Sequence, residues 1–172
     1  GGTPKSTIKE YYDGNIPFLS ISDITEQGKY LYSTEKTISK KGLENSTSWI
    51  VPIDSIIYTM YASVGFVSMN KIELATSQAV LNLMPKSDIY TEYLYYYLVY
   101  FQKFVNKYIT TGTQGNLNAE TVKNFEINPP TIKEQIKIAQ CLGSIDNKIQ
   151  TEKELLNKYQ SQKKHLLQNL FI

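Results

Sequence analysis

Pro129-Pro130-Thr131-Ile132-Lys133-Glu134 divides this chain into two unlike parts. The prolines end an extended segment, because each disfavours helical backbone in the residue before it. Thr131 and Glu134 have the spacing of a capping box, in which the threonine caps the helix start and the glutamate reaches back. A heptad frame then runs through Ile138, Leu142, Ile145, Ile149, Glu152, Leu156, Tyr159, Lys163, Leu166 and Leu170. Eight of these ten positions are apolar or aromatic, which is the density of a coiled-coil seam. About 39 helical residues at 1.5 Å each span roughly 58 Å, longer than a domain of this size is wide. The distal half of the seam therefore needs another helix, from a second copy or a larger partner. Gly143 is a weak point of about 1 kcal/mol against alanine, and Glu152 and Lys163 either set register or lie exposed.

Upstream, residues 1–130 read as short strands between turn residues. Strands are expected at Ile16-Pro17-Phe18-Leu19-Ser20-Ile21 after the Asp13-Gly14-Asn15 turn, at Trp49-Ile50-Val51, at residues 55–60 and at Phe66-Val67-Ser68. Ala79-Val80-Leu81-Asn82-Leu83-Met84 is another, stopped by Pro85. Between residues 91 and 108, Leu94, Leu98, Phe101, Val105 and Tyr108 recur at helical spacing, and Gly112 lies just past the end. Tyrosines 93, 95, 96, 97 and 100 belong to that helix and are expected to pack on the sheet with hydroxyls at its wet edge. A turn near Asn118-Ala119-Glu120 and a strand Phe125-Glu126-Ile127 complete this part. The fold class is α+β: a small mixed α/β domain, residues 1–130, followed by a long C-terminal coiled-coil-forming helix, residues 131–172.

The chain has 172 residues, 41% hydrophobic and 20% charged, enough to bury a core and unlike a disordered chain. One cysteine, Cys141, allows neither an internal disulfide nor a cysteine-based zinc site. No apolar run approaches the roughly 18 residues of a membrane span, so no membrane role and a cytoplasmic setting are expected. The first residue is glycine, so the chain is expected to be a piece or a half of something larger. All 18 basic residues are lysine, for a net charge of +2; residues 1–130 hold 11 lysines against 12 acids, and residues 131–172 hold 7 against 4. That is not the strongly basic surface that by itself announces nucleic acid.

Catalytic patterns are missing. His165 is the only histidine and sits near the chain end, which leaves no Ser–His–acid triad and no histidine metal site. Asn128-Pro129-Pro130-Thr131 is similar to the Asn-Pro-Pro-aromatic loop of amino-methyltransferases, but Thr131 replaces the aromatic and no glycine-rich cofactor loop exists. Asp146-Asn147-Lys148 is the one Asp-x-Lys, and it lies in the long helix rather than a nuclease core. No metal, catalytic residue or cofactor is expected. What remains are loops rich in lysine, amides and hydroxyls: residues 36–48, residues 58–65 and residues 110–118. Such side chains suit phosphate contacts and base readout. They suit equally a protein-binding surface on a coiled-coil stalk.

Taken in order, these residues resemble the specificity subunit of type I restriction–modification systems. The resemblance is carried by Gly1-Gly2-Thr3-Pro4-Lys5, then Tyr12, Gly14, Ile16-Pro17-Phe18 and Asp23-Ile24, then Thr37-Ile38-Ser39 with Gly42. It continues through Pro52, Ser63-Val64-Gly65, Ala75-Thr76-Ser77-Gln78, Tyr93-Leu94-Tyr95 and Gly112-Thr113-Gln114. Pro129 to Gln135, Ile138, Leu142, Ile145-Asp146, Ile149 and Leu167-Gln168-Asn169-Leu170-Phe171 close it.

The resemblance implies that residues 1–130 are one target-recognition domain reading half of a split double-stranded DNA sequence. Residues 131–172 become a spacer helix that fixes the distance between two such domains. The helix also docks methyltransferase subunits, and through them a restriction subunit; S-adenosylmethionine belongs on the methyltransferase. One domain and one helix make a half-subunit, completed by a two-fold homodimer or by the other half of a longer chain. The residues expected at DNA are Lys36, Lys40, Lys41, Ser46, Thr47, Tyr61, Ser63, Thr113, Gln114, Asn116 and Asn118. The helix interface is expected to use Ile138, Leu142, Ile145, Ile149, Leu156, Tyr159, Leu166 and Leu170.

Overall fold

The structure is a computed structural model and describes residues 1–61, 64–105, 117 and 119–171. Its strands are β1 (Tyr12–Leu19), β2 (Tyr30–Leu31), β3 (Lys36–Ile38), β4 (Ile50–Val51), β5 (Ile56–Thr59), β6 (Val67–Asn70), β7 (Leu74–Thr76) and β8 (Val80–Leu83). Its α-helices are α1 (Ile21–Gln27), α2 (Lys40–Glu44), α3 (Thr91–Val105), α4 (Ala119–Lys123) and α5 (Ile132–Leu170), and a short 3-10 turn, Lys9–Tyr11, precedes β1. One sheet has the order β3-β1-β7-β4, with β1 and β7 parallel and the other pairs antiparallel. The second has the order β2-β6-β5-β8, with β2 and β6 parallel.

The two sheets are held face to face by Leu19, Leu31, Val51, Ile57, Leu74 and Val80, which bury one shared cluster with Ile24 of α1. β5 is the hinge of this packing. Successive strand side chains point to opposite faces, so Ile57 faces the other sheet while Ile56 and Tyr58 face Leu94, Leu98 and Val105 of α3. All four β5 residues are buried. This explains why Ile56, Ile57 and Tyr58 follow one another without a polar residue between them.

Local chemistry accounts for most differences from the expected elements. Asp13-Gly14-Asn15 is a bulge inside β1, not a turn before it: Tyr12 and Ile16 both pair with Ile38, and Asp13 has φ 55°. Ser20 and Ile21 end no strand; Ser20 is the N-cap of α1, with Asp23 Oδ2 accepting its backbone N–H at 2.8 Å. Residues 36–48 are not a loop but β3 and α2 followed by a turn. Residues 119–123 form α4 rather than a bare turn. Phe125-Glu126-Ile127 joins neither sheet, and Phe125 and Ile127 instead cover the cluster below α3. The expected extension of α3 to Tyr108 and the turn residue Asn118 lie outside the described residues.

α5 starts where the sequence places it, at the capping box of Thr131 and Glu134. Glu134 accepts both the backbone N–H of Thr131, at 3.0 Å, and its hydroxyl, at 2.8 Å. The hydroxyl donates to the charged carboxylate while its oxygen faces the Glu134 backbone N–H, so both halves of the expected capping box are present. These two bonds hold the Glu134 carboxyl below its ordinary range.

The proximal turns of α5 lie against α3 through a small and polar stripe. Gln135 and Ala139 are buried, and the nearest atom to a Cβ placed on Gly143 is the Tyr96 hydroxyl at 3.6 Å. Gln135 Oε1 accepts the Tyr90 N–H at 2.8 Å, and its Nε2 donates to the carbonyls of Asp88 and Pro130. Positions 135, 139, 143 and 146 share one helix face at about 100° per residue.

Because Ile57 is fully buried between the sheets, Ile57→Ala is expected to destabilise the chain by about 2–5 kcal/mol. A urea unfolding midpoint close to the wild type would show that the inter-sheet cluster is not the core of the sandwich.

Candidate nucleic-acid interface

One end of the sandwich gathers segments that are far apart in sequence. At the exit of β5, the Met60 N–H donates to the Ala79 carbonyl at 2.9 Å, and its carbonyl accepts the Leu117 N–H at 3.1 Å. This brings Leu117 to the residue before Tyr61, which is 40% exposed. Just upstream of Ala79, the Thr76 carbonyl accepts from the Gly2 N–H at 3.1 Å and from Ser48 Oγ at 3.0 Å. Thr3 Oγ1 donates to Gln78 Oε1 at 3.1 Å. A Cβ on Gly2 would overlap the Thr47 hydroxyl, so the buried glycine lets the first residues pass against the turn at residues 45–47. Segments 46–48, 76–79 and 60–61 are thus linked through Gly2, Thr76 and Ala79, although they lie far apart in the chain.

The lysines approach from the β3 edge. Lys36 is exposed on β3, and Lys40 and Lys41 are exposed on α2. α2 is tied down by Ser39, whose hydroxyl accepts the Gly42 N–H at 3.1 Å and donates to the Glu10 carbonyl at 2.6 Å. Both α2 lysines have acidic partners: Lys40 lies 3.8 Å from Glu44, and Lys41 Nζ donates to Glu10 at 3.0 Å. The Glu10 carboxylate raises the Lys41 ammonium above its ordinary range. Exposed pairs of this kind contribute little to stability and exchange partners readily.

Tyr58 points its buried hydroxyl toward Gly65 and finds no hydrogen-bond partner among the described residues; burial pushes this phenol up to about 12. Of the expected DNA-facing side chains, Lys36, Lys40, Lys41, Ser46, Thr47 and Tyr61 are placed. Ser63, Thr113, Gln114, Asn116 and Asn118 lie outside the described residues. The sequence reading passed over Thr3, Asn45 and Gln78, which are exposed at the same end. Both Gly1-Gly2-Thr3-Pro4 and Ala75-Thr76-Ser77-Gln78 were visible as motifs, yet nothing linear joins position 3 to position 78.

On α5 the heptad side chains form a second exposed feature. Ile138, Leu142, Ile145, Ile149, Leu156, Tyr159, Leu166 and Leu170 are all exposed, as are Leu155 and Leu167 outside the counted frame. This stripe lies about a quarter turn from the face that carries Gln135 and Ala139. Among the described residues, no three His, Cys, Asp or Glu side chains come together as a metal site, and no helix is long and apolar enough to cross a membrane. Cys141 is a free, exposed thiol, and His165 contacts Asn169 one turn on.

A family model of the type I restriction modification DNA specificity domain matches residues 1–160, which takes in the sandwich and most of α5. The chain belongs to this family. It is 34% identical over 167 residues to the type I restriction enzyme MjaIX specificity subunit of Methanocaldococcus jannaschii, covering 92% of this chain and 38% of the relative. It is 31% identical over 167 residues to the HindI specificity subunit of Haemophilus influenzae, covering 88% and 36%. The chain therefore spans under two fifths of the length of these relatives. The fold is shared with a chain of a type I R-M system, at a TM-score of 0.75 and 18% identity over 96% of this chain and 40% of that one. It is also shared with the HsdS subunit of Thermoanaerobacter tengcongensis, at a TM-score of 0.62 and 18% identity over 90% and 36%. The α+β class, with a long C-terminal helix after a mixed α/β domain, is thus the one expected from sequence.

Within this domain, Gly42 is where α2 meets the 3-10 turn: a Cβ there would overlap the Tyr11 carbonyl oxygen. Gly42→Ala is expected to cost about 1–3 kcal/mol as an overpacking change. Amide chemical shifts should move at residues 39–44 and 9–12; a variant with wild-type stability and shifts would mean that α2 is not seated as described.

Proposed function

We propose that this chain is one DNA-reading half of a type I specificity subunit. In this reading residues 1–130 recognise one half of a bipartite double-stranded target, and residues 131–172 are the spacer helix. The observation that carries the reading is the family match running through both parts, from the sandwich into α5, in a chain about two fifths of its relatives' length. Gathering of the 46–48, 60–61, 76–79 and 117 segments at one end supports it, because a groove reader needs hydrogen-bonding side chains from several segments on one rim. The exposed seam Ile138, Leu142, Ile145, Ile149, Leu156, Tyr159, Leu166 and Leu170 supports completion by a second helix. That helix comes from a two-fold partner copy or from the other half of a longer chain. The helix also docks methyltransferase subunits, which bring S-adenosylmethionine, and through them the restriction subunit. The chain itself recognises and does no chemistry, in a cytoplasmic complex.

Lys40 and Lys41, with Lys36, hold phosphates by exchanging their exposed carboxylate partners for phosphate oxygens. Gln114, Asn116 and Asn118 touch base edges. Ser46, Thr47, Tyr61, Ser63 and Thr113 fill the backbone contacts around them. A chain without arginine lacks the commonest guanine reader, so an A·T-containing half-site is favoured.

Two substitutions separate the roles. Gln114→Ala is expected to weaken binding to the cognate duplex by roughly 1–3 kcal/mol while leaving affinity for unrelated DNA unchanged; equal loss on all sequences would remove it from base readout. Lys40→Ala is expected to lower the slope of log affinity against log salt by about 1, measured by fluorescence anisotropy. Binding by the wild type that ignores salt would point to a protein-binding module on a stalk instead.

A further inference from the structure

Lys29 follows Gly28, whose φ of 73° turns the chain out of α1. Its ammonium lies 4.5 Å from the ring centroid of Tyr96 and 5.0 and 5.3 Å from those of Tyr30 and Tyr95. Nζ donates to the Tyr96 hydroxyl at 2.8 Å, and that hydroxyl donates to Asp146 Oδ2 at 2.6 Å. Glu92 and Asp146 lie 3.7 and 3.9 Å from Nζ, and the Tyr30 hydroxyl donates to Glu92. The segment after α1, helix α3 and helix α5 therefore share one directed chain of contacts. Burial and the Asp146 carboxylate hold the Tyr96 phenol above its ordinary range, so it remains a donor at working pH.

A part-buried ionic network is a poor way to gain stability, since apolar side chains of the same size do as well or better. It supplies direction instead. Gln135 and Asp146 are 11 residues apart on one face, about 16 Å along the axis at 1.5 Å per residue. Both bond to the sandwich, and no side chain stands between them at Gly143. Two directional attachments three turns apart hold α5 in rotation and in tilt, whereas Gln135 alone leaves a pivot.

We propose that the Lys29–Tyr96–Asp146 chain is a positioning device that sets the angle at which the sandwich stands on α5, and through it the spacing between half-sites that the assembled subunit accepts. The spacing clause rests on the function proposed above; the angle does not. Adding one base pair moves the second half-site by about 3.4 Å and turns it by about 35°. A sandwich free to swing on its helix would accept neighbouring spacings alike.

The angle is read by nitroxide labels at Glu73→Cys, on the turn before β7, and Gln160→Cys, far along α5, in a Cys141→Ser background diluted with unlabelled chain. Tyr96→Phe keeps the ring and removes both bonds; Asp146→Ala removes the acceptor at a half-exposed helix position. Both are expected to broaden the distance distribution by about twofold or more, the swing of a lever pinned at one point. Asp146→Asn, which keeps an acceptor for the phenol, is expected to fall between them and the wild type. Unchanged widths in Tyr96→Phe and Asp146→Ala overturn the proposal. In a second arm, wild type and Tyr96→Phe joined to a type I methyltransferase subunit are used to select from a random duplex pool. The wild type is expected to enrich one spacing, and Tyr96→Phe to lose about tenfold of its preference over the adjacent spacing, equivalent to about 1.4 kcal/mol. A wild type that enriches no bipartite sequence removes the DNA reading and leaves the angle standing. Broadened distances with an unchanged spacing preference overturn the spacing clause.

Discussion

Gln135 is almost fully buried, and a buried amide that finds no partners costs about 1–3 kcal/mol. Its partners are the Tyr90 N–H and the carbonyls of Asp88 and Pro130, in the turn leading to α3 and at the end of the segment that delivers α5. Those three groups meet in one place only when the helix starts at its observed residue and faces its observed way. A slip of one residue would turn the side chain by about 100° and strand all of them. The start of α5 is therefore specified by hydrogen bonds rather than by apolar contact. Ala139 and Gly143, one and two turns further, keep the helices close without adding a competing anchor.

This division of labour leaves the apolar residues of α5 uncommitted. In most amphipathic helices the largest side chains face the chain's own core. In α5 the stripe from Ile138 to Leu170 stays exposed, while the sandwich holds the helix by its small and polar face. The two faces impose independent requirements. Substitutions along the seam can alter what packs there without loosening the sandwich, and the Gln135 and Tyr96 contacts can be altered without changing seam hydrophobicity.

How far the sequence was legible follows from the range of the interactions involved. α5, α3 and strands β4, β5, β6 and β8 could be read because periodicity and nearby turn residues specify them locally. α1 was missed because Ile16 to Ile21 is one apolar run, and the cap that divides it is a serine bond to Asp23, masked by β-forming neighbours. Residues 36–48 read as loop because Gly42, Asn45 and the serines favour turns over helix or strand. What seats them is distant, Ser39 and Gly42 against Tyr11 and Lys41 against Glu10. Phe125 and Ile127 have the alternation of a strand, but their role is to cover a cluster, and alternation does not distinguish the two. At the candidate interface, residue type singles out six of the placed side chains, whereas Thr3 and Gln78 come together only in the fold.

The lysine partners bear on how such a surface would discriminate. Affinity for unrelated DNA comes from phosphates neutralised by free cations and rises with their number. Here the α2 lysines already face Glu44 and Glu10, and residues 1–130 carry one more acid than lysine. Under the proposed function, phosphates would replace these exposed and readily exchanged partners of Lys40 and Lys41. On that reading a recognition domain with no net positive charge gains little from arbitrary sequence, and base contacts carry more of the binding. Under the proposed function that raises the ratio of specific to nonspecific binding. It also makes the angle between sandwich and helix matter more, because little unspecific affinity is left to hold a half-site presented at the wrong spacing.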